Sequence, residues 1–182
     1  MPSPFAQSRV ALHQLAQRLM RHGLILLSMV MMVGNAAAEP SADATEWATA
    51  ISKHAKDGRV IVFRYVTEFR PSFVKASLPD RVILVWRYET LSGLPVAAER
   101  EEMDRMEDML SPFVEKVGFG MLAMVSTGNG FREWTYYVRS EDEFLKALNV
   151  ALAGERRFPI EVHTGPDPQW FTYERFRRGI RQ

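Results

Sequence analysis

The 182-residue sequence predicts an α+β fold, in which one antiparallel β-sheet packs against two helices. Runs of β-branched and aromatic residues at 59–67 and 81–89 are typical of strands. Apolar residues recur at helical spacing after a break at Gly93-Leu94-Pro95. The third observation is Gly128-Asn129-Gly130, which separates two further apolar runs. It predicts a β-hairpin because these residues tolerate positive φ.

The first half of the chain is predicted to contain an N-terminal β-hairpin, a strand and a helix. A weak strand at 47–51 precedes the strong strand at 59–67, and the next strand spans 81–89. The helix that follows should end at Gly118, and Pro112 should kink or restart it. Its predicted buried stripe consists of Met103, Met106, Leu110, Phe113 or Val114, and Val117.

The second half is predicted to contain three strands with a helix between the second and the third. Strands at 119–127 and 131–139 flank the hairpin turn, and Ser140 and Glu143 form a capping box for the helix. The last strand spans 158–163. From residue 81 onward the order is therefore β-α-β-β-α-β, the ferredoxin-like arrangement, with the N-terminal β-hairpin before it and a short C-terminal helix after it.

That C-terminal helix is predicted to begin at Asp167-Pro168, a good N-cap followed by a good first residue. Trp170 and Tyr173 are three residues apart and so share one helical face, which we expect to dock on the domain. The cations that follow are expected to project into solvent; they are Arg177, Arg178 and Arg181.

Residues 1–38 are predicted to be a signal peptide, and residues 39–182 a single α+β domain. The first segment has three arginines, no acidic residue, an apolar run at 24–33 and small residues before the expected cleavage after Ala38. A membrane anchor is the alternative, but a spanning helix needs about 20 apolar residues and this run is half that length. We therefore expect a periplasmic or secreted protein with no stable membrane span after cleavage, although a retained signal peptide stays open.

Composition excludes several classes of function. The chain has no cysteine, which rules out disulfides, thiolate catalysis and cysteine-based zinc sites. Loss of the signal segment would leave 20 basic and 22 acidic residues, a formal charge of −2. Such a domain is a poor candidate for nucleic-acid binding, which depends on neutralising phosphates with Lys and Arg. Neither a P-loop nor a dinucleotide fingerprint is present, and no cofactor is predicted.

The weak candidates for a metal or catalytic site are Glu161, His163 and Asp167. One histidine and two carboxylates could hold a divalent cation. Glu161 and His163 share a strand face because they are two residues apart, whereas Asp167 lies beyond a Gly-Pro loop. The alternative is a histidine at a strand end that makes only local hydrogen bonds, and we predict neither a metal site nor a catalytic residue.

Aromatic residues provide the stronger signal for binding. On the strand after the hairpin, Trp134 and Tyr136 share one face and Tyr137 lies on the other. An exposed sheet face with Tyr and Trp would be a recognition surface, whereas helices on both faces would bury these rings. Both alternatives stay open. The candidate binding residues are Arg132, Trp134, Tyr136, Tyr137, Asp167, Trp170 and Tyr173.

Several motifs together resemble the bacterial family of domain of unknown function 695. They are Trp47, the strand segment ending Trp86-Arg87-Tyr88, Gly93-Leu94-Pro95, the segments 106–110 and 127–137, and Asp167-Pro168-Gln169-Trp170 with Tyr173. The resemblance covers most of residues 45–175. It implies no catalytic residue. The family's association with a domain similar to protein regulators of ribonuclease E implies a role as a regulator.

We therefore expect an exported, non-catalytic module that binds an unknown protein or small ligand. One alternative is a small hydrolase or metal-dependent enzyme centred on His163. The other alternative is a protein regulator of another enzyme.

Overall fold

The computed structural model describes residues 43–53, 58–116 and 118–180, which form a six-stranded sheet and three helices. Expected and observed elements agree in kind and differ by a few residues at their ends. The strands are β1 (Ala44–Lys53), β2 (Val60–Phe69), β3 (Asp80–Arg87), β4 (Gly120–Gly128), β5 (Phe131–Val138) and β6 (Ile160–Pro166). The helices are α1 (Ala97–Val114), α2 (Glu141–Ala151) and α3 (Phe171–Ile180).

The strands pair in the order β1-β2-β4-β5-β3-β6, and every neighbouring pair is antiparallel. The predicted α+β class is therefore confirmed. The N-terminal hairpin of β1 and β2 is part of the same sheet as the other strands, because β2 pairs with β4. The complete strand order consequently differs from that of a simple ferredoxin fold.

Helix α1 departs from the prediction at its C-terminal end. It runs through Pro112 as one helix and ends at Val114. Pro112 cannot donate a backbone hydrogen bond, but only two helical residues follow it, so little of the helix depends on that bond. The Glu115 N–H donates to the Ser111 carbonyl at 2.9 Å and closes the last turn. Val117 of the predicted stripe lies outside the described residues.

The predicted hairpin and the Ser140 cap of the capping box are confirmed, whereas the Glu143 carboxylate accepts from Arg139. Asn129 and Gly130 have φ of 56° and 86°, and Gly128 pairs with Phe131 across the turn. The Glu143 N–H donates to the Ser140 hydroxyl at 3.4 Å at the start of α2. Local turn chemistry therefore sets the register of β4 and β5.

Two hydrophobic clusters lie on opposite faces of the sheet. The first cluster joins α1 and α2 to the strands; its larger members are Leu84, Trp86, Met106, Leu110, Trp134, Tyr136 and Phe144. The second cluster joins α3 to the other face and comprises Ala44, Val66, Leu78, Met121, Ala123, Tyr137, Trp170 and Tyr173. Helices therefore cover part of both faces. In the described part of the chain, no helix is long and apolar enough to cross a membrane.

Candidate functional site

Three of the predicted binding residues lie in the first cluster or at its border, under α1. Trp134 and Tyr136 are fully buried, and Arg132 is almost so. The Trp134 indole N–H donates to Glu107 Oε2 at 2.7 Å, and Arg132 pairs with Asp104 on α1. These side chains therefore connect the sheet to α1 and present almost no surface to a partner.

The other four predicted binding residues lie together at the second cluster, on the opposite face of the sheet. They are Tyr137, Asp167, Trp170 and Tyr173. The Tyr137 ring stacks on Trp170 with 3.8 Å between centroids, and the Tyr137 hydroxyl donates to Asp167 Oδ2 at 2.8 Å. The backbone N–H of Tyr173 in turn donates to the Tyr137 hydroxyl at 3.2 Å. Residues far apart in sequence are thus joined in one network that attaches α3 to β5.

Asp167 caps α3 from four residues before its first helical residue. Its carboxylate accepts from the N–H groups of Phe171 at 2.7 Å and Thr172 at 3.1 Å. Burial alone would raise the pKa of Asp167. Hydrogen bonds from the Thr172 N–H and the Tyr137 hydroxyl to the carboxylate outweigh this effect, and the pKa of Asp167 therefore lies below its usual value. Burial, with the Asp167 charge beside it, raises the pKa of Tyr137. The pair is therefore an ionised carboxylate with a neutral phenol.

Trp170 is the centre of the second cluster. Its ring is completely buried, and its indole N–H lies 3.0 Å from both the Lys75 and Leu78 carbonyls. The predicted helix start at Pro168 is replaced by a turn, and Trp170 has a φ of 56°. A bulky residue rarely adopts this conformation, so the packing of the ring holds the backbone there.

The predicted binding residues are therefore interior side chains, as in the alternative in which helices bury both faces. Their role in binding stays a prediction. A ligand that reaches the second cluster from solvent would contact the residues at its border.

A cavity of about 210 Å³ lies at that border, between α3, the end of β2 and the short 3₁₀ turn Lys75–Ser77. We call it the cationic cavity. It is lined by Thr67, Phe69, Lys75, Tyr173, Glu174, Arg177 and Arg178. Three cations face one carboxylate in this lining, so its net charge is positive.

The aromatic residues of the second cluster hold Lys75 in place. Its ammonium nitrogen lies 5.0 Å from the Phe69 ring centroid and 5.1 Å from that of Tyr173. The same nitrogen lies 5.6 Å from the Trp170 ring and pairs with Glu174. Cation–π attraction and an ion pair therefore fix one positive charge over an aromatic floor.

The structure corrects the expectation that Arg177 projects into solvent. Its guanidinium donates to the carbonyls of Val66 at 2.9 Å and Thr67 at 3.0 Å, and to the Tyr173 hydroxyl at 2.9 Å. Arg178 is exposed as expected, and no acidic partner for it is found in the described part of the chain. Arg181 lies outside the described residues.

Sequence reasoning missed Lys75, Thr67 and Phe69 as parts of this site. Lys75 lies in a polar, proline-containing loop and meets Trp170 only because the chain folds back over 95 residues. The cluster of arginines near the C-terminus was the one visible signal, and it did not indicate which cation would remain without a partner.

A second depression of about 410 Å³ is formed by the hairpin turn and the loop after β3. Its charged lining residues are Arg59 and Glu89, and the Arg59 guanidinium donates to Asn129 Oδ1 at 2.9 Å. Opposite charges balance here, and the uncharged lining residues are Tyr88, Thr90, Leu91, Gly93, Asn129 and Gly130. It is therefore less suited to a charged ligand than the cationic cavity.

The three weak candidates for a metal site are not brought together. His163 Nε2 lies 3.4 Å from Glu161 Oε2, and Glu161 Oε1 accepts from Arg87 at 2.7 Å. Asp167 is occupied by the α3 cap. Within the described residues, no group of three His, Cys, Asp or Glu side chains could hold a metal ion. The hypothesis of an enzyme centred on His163 stays a prediction.

These features define a small α+β protein in which the aromatic residues of the second cluster support the cationic cavity. Its sequence matches the model of the family of unknown function DUF695 over residues 45–176, so the chain belongs to that family. This confirms the resemblance seen in the sequence. The chain has no significant match among curated proteins or solved structures.

Proposed function

We propose that this protein is a non-catalytic binding module that holds an anionic group, a carboxylate or a phosphate, in the cationic cavity. The observation that carries the proposal is the lining of three cations and one carboxylate, in which Arg178 has no acidic partner among the described residues. A guanidinium with free donors is well suited to a planar carboxylate or to a phosphate.

The arrangement of the other cations supports this assignment. Arg177 is held by two backbone carbonyls, and Lys75 is held over aromatic rings. These side chains need little reordering when an anion arrives, which lowers the entropic cost of binding. The exposed part of Phe69 provides an apolar surface for the body of the ligand.

The size of the cavity limits the ligand class. Drug-sized ligands generally occupy pockets of about 300–1,000 Å³, and this cavity is smaller, at about 210 Å³. It suits a compact anion, a small aromatic acid or the acidic end of a larger partner. A bound dinucleotide would not fit.

The ferredoxin-like description of the fold is also part of the proposal. It is supported by the order β-α-β-β-α-β from β3 onward and by the adjacency of β4, β5, β3 and β6 in the sheet. The hairpin of β1 and β2 would then be an addition at the β4 edge.

Binding is tested by titrating the protein with inorganic phosphate and, separately, with benzoate, while amide chemical shifts are followed by NMR. We expect one or both anions to shift the amides of Lys75, Arg177 and Arg178. Arg178→Gln should weaken this binding by about fivefold, since one charge-assisted contact is lost.

Arg100→Gln is the matched control, because Arg100 is an exposed arginine on α1, across the sheet from the cavity. Its affinity for both anions should equal that of the unmodified protein. The proposal fails if neither anion shifts the cavity amides, or if Arg178→Gln and Arg100→Gln bind equally well.

Export is the second part of the proposal, and it is supported by the composition of residues 1–38, which lie outside the described residues. We expect the exported protein to begin at Glu39, since Ala36 and Ala38 occupy the small positions that signal peptidase requires. N-terminal sequencing of protein from a periplasmic extract checks this. Recovery from the membrane fraction with residues 24–33 retained would contradict it.

A further inference from the structure

Strand β6 presents a regular outer edge. It lies at one end of the sheet and pairs with β3 over seven consecutive residues without a register shift. Strand β1 lies at the other end and contains irregularities around Glu46. Bulges commonly protect an edge from pairing with another chain, and this protection is missing from β6.

Backbone hydrogen bonds identify which β6 residues point outward. The Asp167 N–H donates to the Pro79 carbonyl at 2.8 Å, which makes that pair a hydrogen-bonded one. Because hydrogen-bonded and non-hydrogen-bonded pairs alternate along an antiparallel ladder, Gly165, His163 and Glu161 bond to β3. The N–H and carbonyl groups of Val162 and Thr164 must therefore point away from β3.

We propose that a second copy of this chain pairs with β6, antiparallel, about a two-fold axis that passes through Val162. The two sheets would then become continuous, and each Val162 would donate to and accept from its counterpart. In the same register Ile160 of one copy lies opposite Thr164 of the other. A two-fold pairing of this kind closes at the dimer.

The side chains of β6 suit this register. Val162 is 37% exposed, which is high for a valine on a sheet, and the axis places it beside its twin. On the opposite face, Glu161 of one copy lies across from His163 of the other.

Two prolines limit the other registers in which β6 could pair with a second copy. If the axis moved to Thr164, Val162 would lie opposite Pro166, which has no N–H to donate. Toward the other end, Pro159 precedes the strand, and the Ile160 N–H already donates to the Phe158 carbonyl at 2.9 Å. The segment that can pair is therefore short and favours one register.

The dimer is independent of the cationic cavity and is tested on the full chain. Sedimentation and light scattering over a roughly hundredfold range of concentration should show a reversible dimer. Val162→Lys should raise the dimer dissociation constant by about tenfold or more, because two lysines then face each other across the axis. Val150→Lys, which replaces an exposed valine on α2, is the matched control and should leave the dimer unchanged.

Amide hydrogen exchange on the unmodified protein provides a second measurement that does not depend on the folding of any variant. Exchange at Val162 and Thr164 should slow as the concentration rises, whereas exchange at Val150 should not change. A protein that is monomeric throughout the range overturns the proposal. The proposal is also overturned if the dimer persists in Val162→Lys, or if the Val162 amide is equally protected at every concentration.

Discussion

Trp170→Ala is expected to lower the free energy of unfolding by about 4 kcal/mol. The ring is fully buried, stacks on Tyr137, and contacts Phe69, Phe73 and Tyr173 edge-on. Its removal leaves a cavity in the second cluster and two backbone carbonyls, those of Lys75 and Leu78, without their indole donor. Chemical denaturation followed by circular dichroism measures the loss.

Phe171→Ala is the matched control, since Phe171 is the neighbouring aromatic residue and is 63% exposed. This substitution should change the free energy of unfolding by no more than about 0.5 kcal/mol. The loss of unfolding free energy in Trp170→Phe should lie between those of the two alanine variants, because phenylalanine keeps an aromatic ring but lacks the indole N–H donor. An unchanged melting temperature in Trp170→Ala would mean that α3 is not attached to the sheet through this ring.

Asp167→Ala is expected to lower the free energy of unfolding by about 3 kcal/mol. The substitution leaves the Tyr137 hydroxyl and the N–H groups of Phe171 and Thr172 without their acceptor. Each is a charge-assisted hydrogen bond in or near the buried second cluster, and their loss removes both the α3 cap and one of the links to β5. Denaturation at neutral pH measures the effect.

The pH dependence of stability gives a further readout of Asp167. Because the pKa of this carboxyl is lower in the folded chain than in the unfolded chain, its contribution is present above the unfolded value of about 4. It is lost as the pH falls through the folded value. The difference in stability between the unmodified protein and Asp167→Ala should therefore shrink in acid. Asp167→Asn, which keeps one acceptor oxygen, should lose less than Asp167→Ala at neutral pH, and equal losses would contradict this account.

Local sequence signals accounted for most of the secondary structure. The turn at Gly128-Asn129-Gly130 and the cap at Ser140 depend on neighbouring residues only, and both formed as predicted. Helix α1 is not restarted at Pro112, because the effect of a proline depends on how much helix follows it. Asp167 was correctly identified as a cap, although the helix begins three residues later than its Pro168 suggested.

The exposure of aromatic residues could not be predicted in this way. Strand alternation correctly placed Tyr136 and Tyr137 on opposite faces. Whether each face is covered depends on α1 and α3, which arrive from distant parts of the chain. Predicted binding residues such as Trp134 and Trp170 therefore turned out to be interior, and the cavity beside Trp170 depends on Lys75 and Arg177.

The sequence by itself determined the α+β class, the order of the elements, the hairpin and the family, because each depends on residue type at short spacing. Tertiary structure alone decided that β2 extends the sheet, that Arg177 is held by the carbonyls of β2, and that Arg178 lacks an acidic partner among the described residues. The physical reason is that a short-range pattern indicates what a residue prefers, whereas burial and pairing depend on which distant segments pack against it in the folded chain.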